Sequence, residues 1–150
     1  DVYRTRFGRT VTEMDNATFT HLTMNTNPLH FDDCLTAQTK WGQILVNSTF
    51  TLALIVGLSV PDVSQNAMAN LGWEDVKLPN PVFVGDTLYC ETEVLAKRES
   101  RSYANAGIVQ VRSRGINQDG KVVIDFTRSV MIYKKGHAPH DDFFPAVEEG

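Results

Sequence analysis

Hydrophobic positions follow one pattern in the first half of the chain and another in the second. Residues 44–58 are apolar on nearly all helical faces, which predicts a helix buried in a core. Gly57 near the end of this segment and Pro61 beyond it favour a helix over a strand, despite the β-branched residues. The stripe expected to face the core carries Leu45, Leu52 and Ile55. The first half therefore predicts one long central helix.

After residue 66 the pattern changes to alternating apolar and polar positions, which is typical of strands with one better-buried face. These stretches cover residues 73–76, 88–96, 106–113 and 122–133. Asp119 and Gly120 lie between the last two stretches and are a strong signal for a tight turn. One long helix followed by antiparallel strands predicts an α+β fold, in which the helix lies against one face of a single curved sheet.

Two shorter helices are predicted before the central one. The first follows cap residues at 12–15, and the second follows the aspartates at 32–33 and runs toward Lys40. The apolar positions of the first short helix are Phe19, Leu22 and Met24. Between the two helices, Pro28 predicts an irregular loop over residues 25–31, because proline bars an interior helical hydrogen bond and disfavours helix at the residue before it.

Composition narrows the class of protein. The 150 residues are 42% hydrophobic and 21% charged, which is typical of one globular domain. The net charge of −4 argues against a nucleic-acid partner. The longest apolar run, residues 50–60, is too short to cross a membrane, and from the mixed charge of residues 1–9 we expect no secretory signal.

Cys34 and Cys90 are the two cysteines, and neither lies at metal-ligand spacing from another, so no metal site is expected. Two lone thiols fit a reducing compartment better than a secreted scaffold, although the sequence does not decide whether the two cysteines form a disulfide. We therefore expect a cytoplasmic protein.

Residues 25–32 hold the densest group of chemically active side chains: Asn-Thr-Asn-Pro-Leu-His-Phe-Asp. His30 lies in a loop that proline stiffens, and a histidine exchanges protons near neutral pH. The neighbouring amides can hold a water or a carbonyl group, and the carboxylates can orient an imidazole. Two interpretations stay open: these side chains act on a substrate, or they satisfy the backbone groups of a loop.

Three stretches resemble MaoC-like dehydratases and (R)-specific enoyl-CoA hydratases. Residues 27–32, Asn-Pro-Leu-His-Phe-Asp, resemble the family's dehydratase loop, and residues 81–88, Pro-Val-Phe-Val-Gly-Asp-Thr-Leu, resemble its strand entry. The apolar helix after Gly42 stands where the family has its central helix. The resemblance implies a hot-dog fold, in which a curved antiparallel sheet wraps around a long helix. It assigns residues 1–136 to a hot-dog hydratase domain. The prolines and acidic residues of 137–150 predict a loosely held C-terminal extension, although Phe143 and Phe144 can dock on a neighbouring surface.

The resemblance also implies a hydro-lyase that adds or removes water at the double bond of an enoyl-CoA thioester. In the family, an aspartate and a histidine five positions later activate the water, and a backbone N–H at the start of the central helix polarises the thioester carbonyl. His30 matches the histidine, Asn25 stands in place of the aspartate, and Ser48 stands at the helix start. Because an amide cannot take a proton from water, His30 becomes the principal base and acid, and Asn25 positions water or substrate. The residues implied in substrate binding are Asn27, Pro28, Asn47 and Thr49.

These departures from the family pattern suggest a less usual acyl group, such as a branched or dicarboxylic one of the mesaconyl, itaconyl or methylmalyl type. The resemblance implies no cofactor beyond the coenzyme A of the substrate, and a homodimer or higher homo-oligomer with a continuous sheet. The alternative is a non-catalytic hot-dog subunit that binds acyl-CoA or serves a structural role, which the missing loop aspartate supports. A thioesterase is less favoured, because residues 44–58 contain no Asp or Glu.

Two local questions stay open in the sequence. The aspartates at 32 and 33 either cap the following helix, which we favour, or orient His30. Tyr103, with Arg98 and Arg101, lies in a basic stretch that either contacts the phosphates of coenzyme A or forms a solvated edge.

Overall fold

Within residues 1–140, 143 and 145–148, which the computed structural model describes, three helices precede the four long strands. The helices are α1 (Glu13–Leu22), α2 (Asp33–Thr36) and α3 (Ser48–Ser59), with a 3-10 turn at Pro28–His30 and a π-helical turn at Val60–Ser64. The strands are β1 (Val2–Arg4), β2 (Arg9–Thr10), β3 (Ala67–Lys77), β4 (Thr87–Glu99), β5 (Ala106–Ile116) and β6 (Val122–Tyr133).

All strand pairs are antiparallel, in the order β1-β4-β5-β6-β3, and β2 also pairs with β4. Each of the four predicted strands is confirmed, and each except the last is longer than its alternating pattern. The predicted turn between β5 and β6 is confirmed as well: Asn117 Oδ1 accepts the N–H groups of Asp119 and Lys121, and Gly120 has a φ of +76°. That angle lies in the left-handed region, where glycine has no steric penalty.

Helix α3 packs on one face of the sheet and supplies the centre of the core, as the α+β prediction expects. Burial of apolar surface here is the main favourable term in folding. The buried apolar cluster is Val11, Val46, Ile55, Val82, Leu88, Cys90, Val123, Ile124 and Phe126. The helix and the four long strands therefore form the predicted two-layer arrangement.

The start and the buried face of α3 differ from the prediction. The helix begins at Ser48 and not at residue 44, because the Val46 N–H donates to Val82 O (2.9 Å) and Leu45 forms a β-bridge with Phe83. The buried stripe is Thr51, Ile55 and Ser59. Of the predicted stripe, Ile55 is confirmed, whereas Leu52 is half-buried and Leu45 lies before the helix. A helix that is apolar on most faces gives no periodic signal for the face that meets the sheet.

Helix α1 confirms its predicted cap but buries an unexpected face. Thr12 and Asp15 form a reciprocal capping box, in which each side chain accepts the backbone N–H of the other. The buried residues are polar, Asn16 and Thr20, and the predicted apolar position Leu22 is 78% exposed. The other two predicted apolar positions are Phe19, which is half-buried, and Met24, which is exposed and lies beyond the end of the helix.

Helix α2 is shorter than predicted and ends at Thr36 instead of running toward Lys40. Asp32 caps it, because its Oδ1 accepts the Leu35 N–H at 2.9 Å. This contact confirms the cap interpretation for Asp32.

The first residues after β6 pack against the rest of the domain. Ala138 is buried, and His140 Nε2 lies 2.7 Å from Oδ1 of Asn66, the residue just before β3. Phe143 is 76% exposed and is not docked, while Phe144 lies outside the described residues, as do residues 141–142 and 149–150. Both cysteines are free thiols. In the part of the chain that the structure describes, no helix is long and apolar enough to span a membrane.

Candidate active site

His30 ends the 3-10 turn that Pro28 begins, and Asn27 caps this turn through its Oδ1 and the Leu29 N–H (3.1 Å). The imidazole Nδ1 lies 2.9 Å from the carbonyl oxygen of Leu45. Because a carbonyl oxygen only accepts hydrogen bonds, Nδ1 carries the hydrogen in this contact. In the neutral ring, Nε2 is then the nitrogen with a free electron pair, and it is the position where His30 can take up a proton.

A cavity of about 330 Å³ lies beside His30, between its turn, the start of α3 and the loop before β4. Eight of its lining residues are apolar or aromatic: Trp41, Leu45, Val46, Leu78, Pro79, Pro81, Val82 and Val123. The others are His30, Ser48, Thr51 and Asn80. A mostly apolar cavity with a few converging polar groups is the usual form of a small-molecule site. Among these lining residues, His30 is the side chain that exchanges protons near neutral pH.

Ser48 is the first residue of α3 and lines the same cavity. Its backbone N–H therefore has no intrahelical acceptor and lies at the positive end of the helix dipole. A carbonyl oxygen that gains negative charge can be stabilised there. The cavity is therefore lined both by His30 and by the first residue of α3.

Asn47 holds this helix start and is itself buried. Its Oδ1 accepts the Thr49 N–H (3.0 Å) and the Thr49 hydroxyl (2.6 Å), and its Nδ2 donates to Thr20 Oγ1 (3.3 Å). Thr49 is exposed. Both side chains are thus engaged in capping α3 rather than in lining the cavity.

Asn25 also lies off the cavity lining. Its Oδ1 accepts the Asn27 N–H at 3.0 Å, which closes a local turn before Pro28. Of the seven predicted site residues, the chain brings His30 and Ser48 to one cavity. Asn25, Asn27, Pro28, Asn47 and Thr49 shape the two segments that carry them, and their roles toward a substrate stay predictions.

The predicted phosphate contacts lie elsewhere on the chain. Arg98 borders a hollow of about 410 Å³ whose lining comes from β3, β4, β5 and β6. Arg101 and Tyr103 are exposed between β4 and β5. None of these three side chains lines the His30 cavity.

Two kinds of site residue carried no clear signal in the sequence. Thr51 and Asn80 line the cavity, but each stands in a segment whose pattern predicted only packing or a loop. Asn16 is buried on α1 and bonds both the His30 turn and the segment before α3. Its one sequence signal is its place one turn after the cap residue Thr12, on the side of a helix that should face the core.

The chain matches the family described as MaoC like domain over residues 1–114. It is 42% identical over 93 residues to mesaconyl-CoA hydratase of Cereibacter sphaeroides. These 93 residues cover 62% of this chain and 27% of that protein. It is 35% identical over 133 residues to beta-methylmalyl-CoA dehydratase of Chloroflexus aurantiacus, covering 85% of this chain and 36% of that protein. The chain thus spans about a third of the length of these relatives.

Among solved structures, a Mycobacterium tuberculosis protein with a double hotdog fold superposes with a TM-score of 0.81 and 25% identity. The superposition covers 97% of this chain and 44% of that one. The likeness confirms the predicted hot-dog fold.

Proposed function

The chain belongs to the MaoC like domain family, and from that premise we propose that it is a hydro-lyase acting on an enoyl-CoA thioester. The observation that carries the proposal is the meeting of His30 and the N-terminal end of α3 on one cavity. The names of the relatives, a mesaconyl-CoA hydratase and a beta-methylmalyl-CoA dehydratase, support the same reaction class.

In the proposed hydration, His30 Nε2 takes a proton from water while the water oxygen forms a bond to the β-carbon. The electron pair of the double bond moves toward the thioester carbonyl, whose oxygen accepts the Ser48 N–H. The proton on His30 then passes to the α-carbon, so that one water is added in all and His30 returns to its starting form. Dehydration follows the same steps in reverse.

Asn25 enters this mechanism as a positioning group. Its Oδ1 accepts the Asn27 N–H, and its Nδ2 hydrogens can be donated to a water or a substrate oxygen. Asn47 and Thr49 act through the helix start that they cap. Asn27 and Pro28 act through the turn that places His30. The proposal needs no cofactor beyond the coenzyme A of the substrate.

We propose a branched or dicarboxylic acyl group, of the kind named in the two relatives. Among the described residues, the cavity lining includes no Lys, Arg, Asp or Glu. A second carboxylate would therefore meet neutral donors in this chain, such as the hydroxyl of Thr51. An apolar branch would instead meet Val46, Val82 and Val123.

We further propose that the domain of residues 1–136 pairs with a second copy through β3, in the cytoplasm. β3 is an edge strand, and Leu71, Trp73 and Val76 along it are between 43% and 49% exposed. An unpaired strand edge with apolar side chains is a template for continuing a sheet. Sedimentation equilibrium of the chain, compared with a Trp73→Lys variant, tests this: a dimer that dissociates in the variant supports pairing at β3.

A second candidate is a non-catalytic acyl-CoA-binding subunit. The presence of Asn25 in place of the family's aspartate favours it, because the amide cannot act as a base. The presence of His30 in the cavity lining, with Nδ1 on the Leu45 carbonyl and Nε2 able to take up a proton, favours the hydratase.

The deciding experiment incubates the protein with linear and branched dicarboxylic enoyl-CoAs and follows loss of the conjugated thioester absorbance. His30→Ala is compared with His137→Ala, which removes an exposed histidine outside the cavity. Turnover that His30→Ala abolishes and His137→Ala retains supports the hydro-lyase and identifies its acyl class. Turnover unchanged by His30→Ala contradicts the mechanism. Binding of acyl-CoA without turnover of any substrate supports the subunit alternative.

A further inference from the structure

We propose that Asn16 is a positioning residue for the proposed reaction, joining the turn that carries His30 to the start of α3. This inference rests on the proposed function for its kinetic consequences, but its structural consequence for His30 is independent of turnover. Asn16 lies on α1 and is 2% exposed. It does not line the cavity.

The Asn16 amide bonds three backbone groups. Its Nδ2 donates to the carbonyl oxygens of His30 (3.0 Å) and Leu45 (3.2 Å), and its Oδ1 accepts the N–H of Asn47 (2.9 Å). These partners lie 14, 29 and 31 residues away in the sequence. One side chain thus fixes the backbone of the proposed base and that of the residue just before Ser48.

The Leu45 carbonyl links Asn16 to the imidazole. It accepts hydrogen bonds from both His30 Nδ1 (2.9 Å) and Asn16 Nδ2. The contact with Nδ1 holds the hydrogen on that nitrogen and leaves Nε2 free as a base. Asn16 therefore acts on His30 twice, through the backbone of His30 and through the acceptor that orients its ring.

The residue type matches the three partners. Two carbonyl oxygens need two donors and one N–H needs an acceptor, and an Asn side chain offers this combination in one plane. An aspartate would place one carboxylate oxygen against the two carbonyl oxygens with no hydrogen to donate, and a leucine of similar size would leave all three backbone groups without this partner. Since the site is buried, such groups are not readily rescued by water.

The packing of α1 supports the same role. Thr20, one turn after Asn16 on the buried stripe, accepts a hydrogen bond from Asn47 Nδ2 at 3.3 Å. The polar stripe of α1 thus faces the cap of α3 and not the apolar core. Its hydrogen bonds hold the turn that carries His30 and the start of α3 in a fixed relative position.

The test compares wild type with Asn16→Leu, Asn16→Asp and Thr92→Val. Thr92 is a buried polar residue on β4 that bonds Ser113 and lies outside the cavity, so its variant is a stability control. At temperatures where all four proteins are folded, Asn16→Leu is expected to lower kcat about 10- to 100-fold with a small change in KM, because misplacing reacting groups by about 1 Å has an effect of this size. Thr92→Val is expected to keep kcat. A kcat for folded Asn16→Leu that equals that of Thr92→Val would overturn the proposal.

Asn16→Asp supplies a second kinetic readout. Its carboxylate cannot donate to the two carbonyl oxygens, but its protonated form can donate to one of them. The ratio of its kcat to that of wild type is therefore expected to rise as the pH is lowered, whereas the ratio for Asn16→Leu stays constant. A ratio for Asn16→Asp that does not depend on pH would contradict the donor role.

The readout that does not need turnover is the ¹⁵N signal pair of the His30 ring. Wild type is expected to show the form with hydrogen on Nδ1, and Asn16→Leu a mixture with the Nε2–H form. An unchanged ring signal in Asn16→Leu overturns the inference whether or not the protein turns over a substrate. Absence of turnover in wild type, with the expected ring signals, would remove the proposed function and leave the positioning role intact.

Discussion

Gly115 of β5 lies against Ile55 of α3 so closely that a Cβ placed on the glycine would stand 2.7 Å from Ile55 Cγ1. The same Cβ would stand 2.7 Å from Ile124 Cγ2 on β6. All three residues are buried. The absence of a side chain at position 115 thus sets how near α3 lies to the sheet.

Gly115→Ala is therefore expected to destabilise the protein by about 1–3 kcal/mol, the usual effect of adding a methyl group to a packed core. Denaturant unfolding followed by circular dichroism measures the change. Adding Ile55→Val removes one of the crowded atoms, so the double variant should lose less stability than the two single variants together. Additive losses would show that the contact is not the cause.

Gly57→Ala offers the opposite outcome on the same helix. Gly57 is in α3 and exposed, and a Cβ there meets no atom within 4 Å. Alanine restricts the unfolded chain and favours helix, so we expect a gain of about 0.5–1 kcal/mol in the free energy of unfolding. The same unfolding measurement applies, and a loss of stability would contradict the open space around Gly57.

Asp15 makes stability depend on acid pH. Arg9 donates two hydrogen bonds to its carboxylate (2.7 and 2.9 Å), and with the Thr12 N–H this holds the pKa of Asp15 far below its usual value. Because the pKa is lower in the folded than in the unfolded protein, the carboxylate stabilises the fold above about pH 4, and this contribution is lost as the pH falls below that. The difference in unfolding free energy between wild type and Asp15→Asn should be largest near neutral pH and shrink toward pH ~2. A difference that is the same at both pH values would exclude the ion pair as its source.

Ser48→Pro isolates the backbone N–H that we propose to polarise the thioester. Proline is tolerated at the first position of a helix, and Asn47 before it has an extended conformation (φ −56°, ψ 125°) that proline accepts. We expect α3 to persist and kcat to fall about 100-fold or more, as for loss of one oxyanion donor. Ser48→Ala keeps the N–H and is the matched control. Equal rates for the two variants would assign the effect to the hydroxyl instead.

Thr51→Val tests the acyl class, since Thr51 is a buried residue that lines the cavity. The exchange keeps the shape and removes the hydroxyl. If that hydroxyl holds a second carboxylate, KM for a dicarboxylic enoyl-CoA should rise about tenfold, the effect of one lost hydrogen bond, with little change for crotonyl-CoA. Steady-state kinetics on both substrates measures the ratio, and an equal change for both would contradict a carboxylate at this position.

The sequence by itself determined the elements with local causes. Alternation predicted the four long strands, Asp119 and Gly120 predicted the turn between β5 and β6, and Thr12 predicted the start of α1. Each of these follows from side chains within a few residues of one another. The motif around His30 also led to the family, because it combines a fixed spacing with a fixed residue type.

Only the tertiary structure decided which groups meet. A uniformly apolar segment has no preferred face, so the contact of Ile55 with Gly115 and the start of α3 at Ser48 depend on strands that come later in the chain. The role of Asn16 also depends on segments that come later in the chain. A buried amide is recognised by its hydrogen-bond partners, and those of Asn16 lie 14 to 31 residues away, on segments that only folding brings to α1.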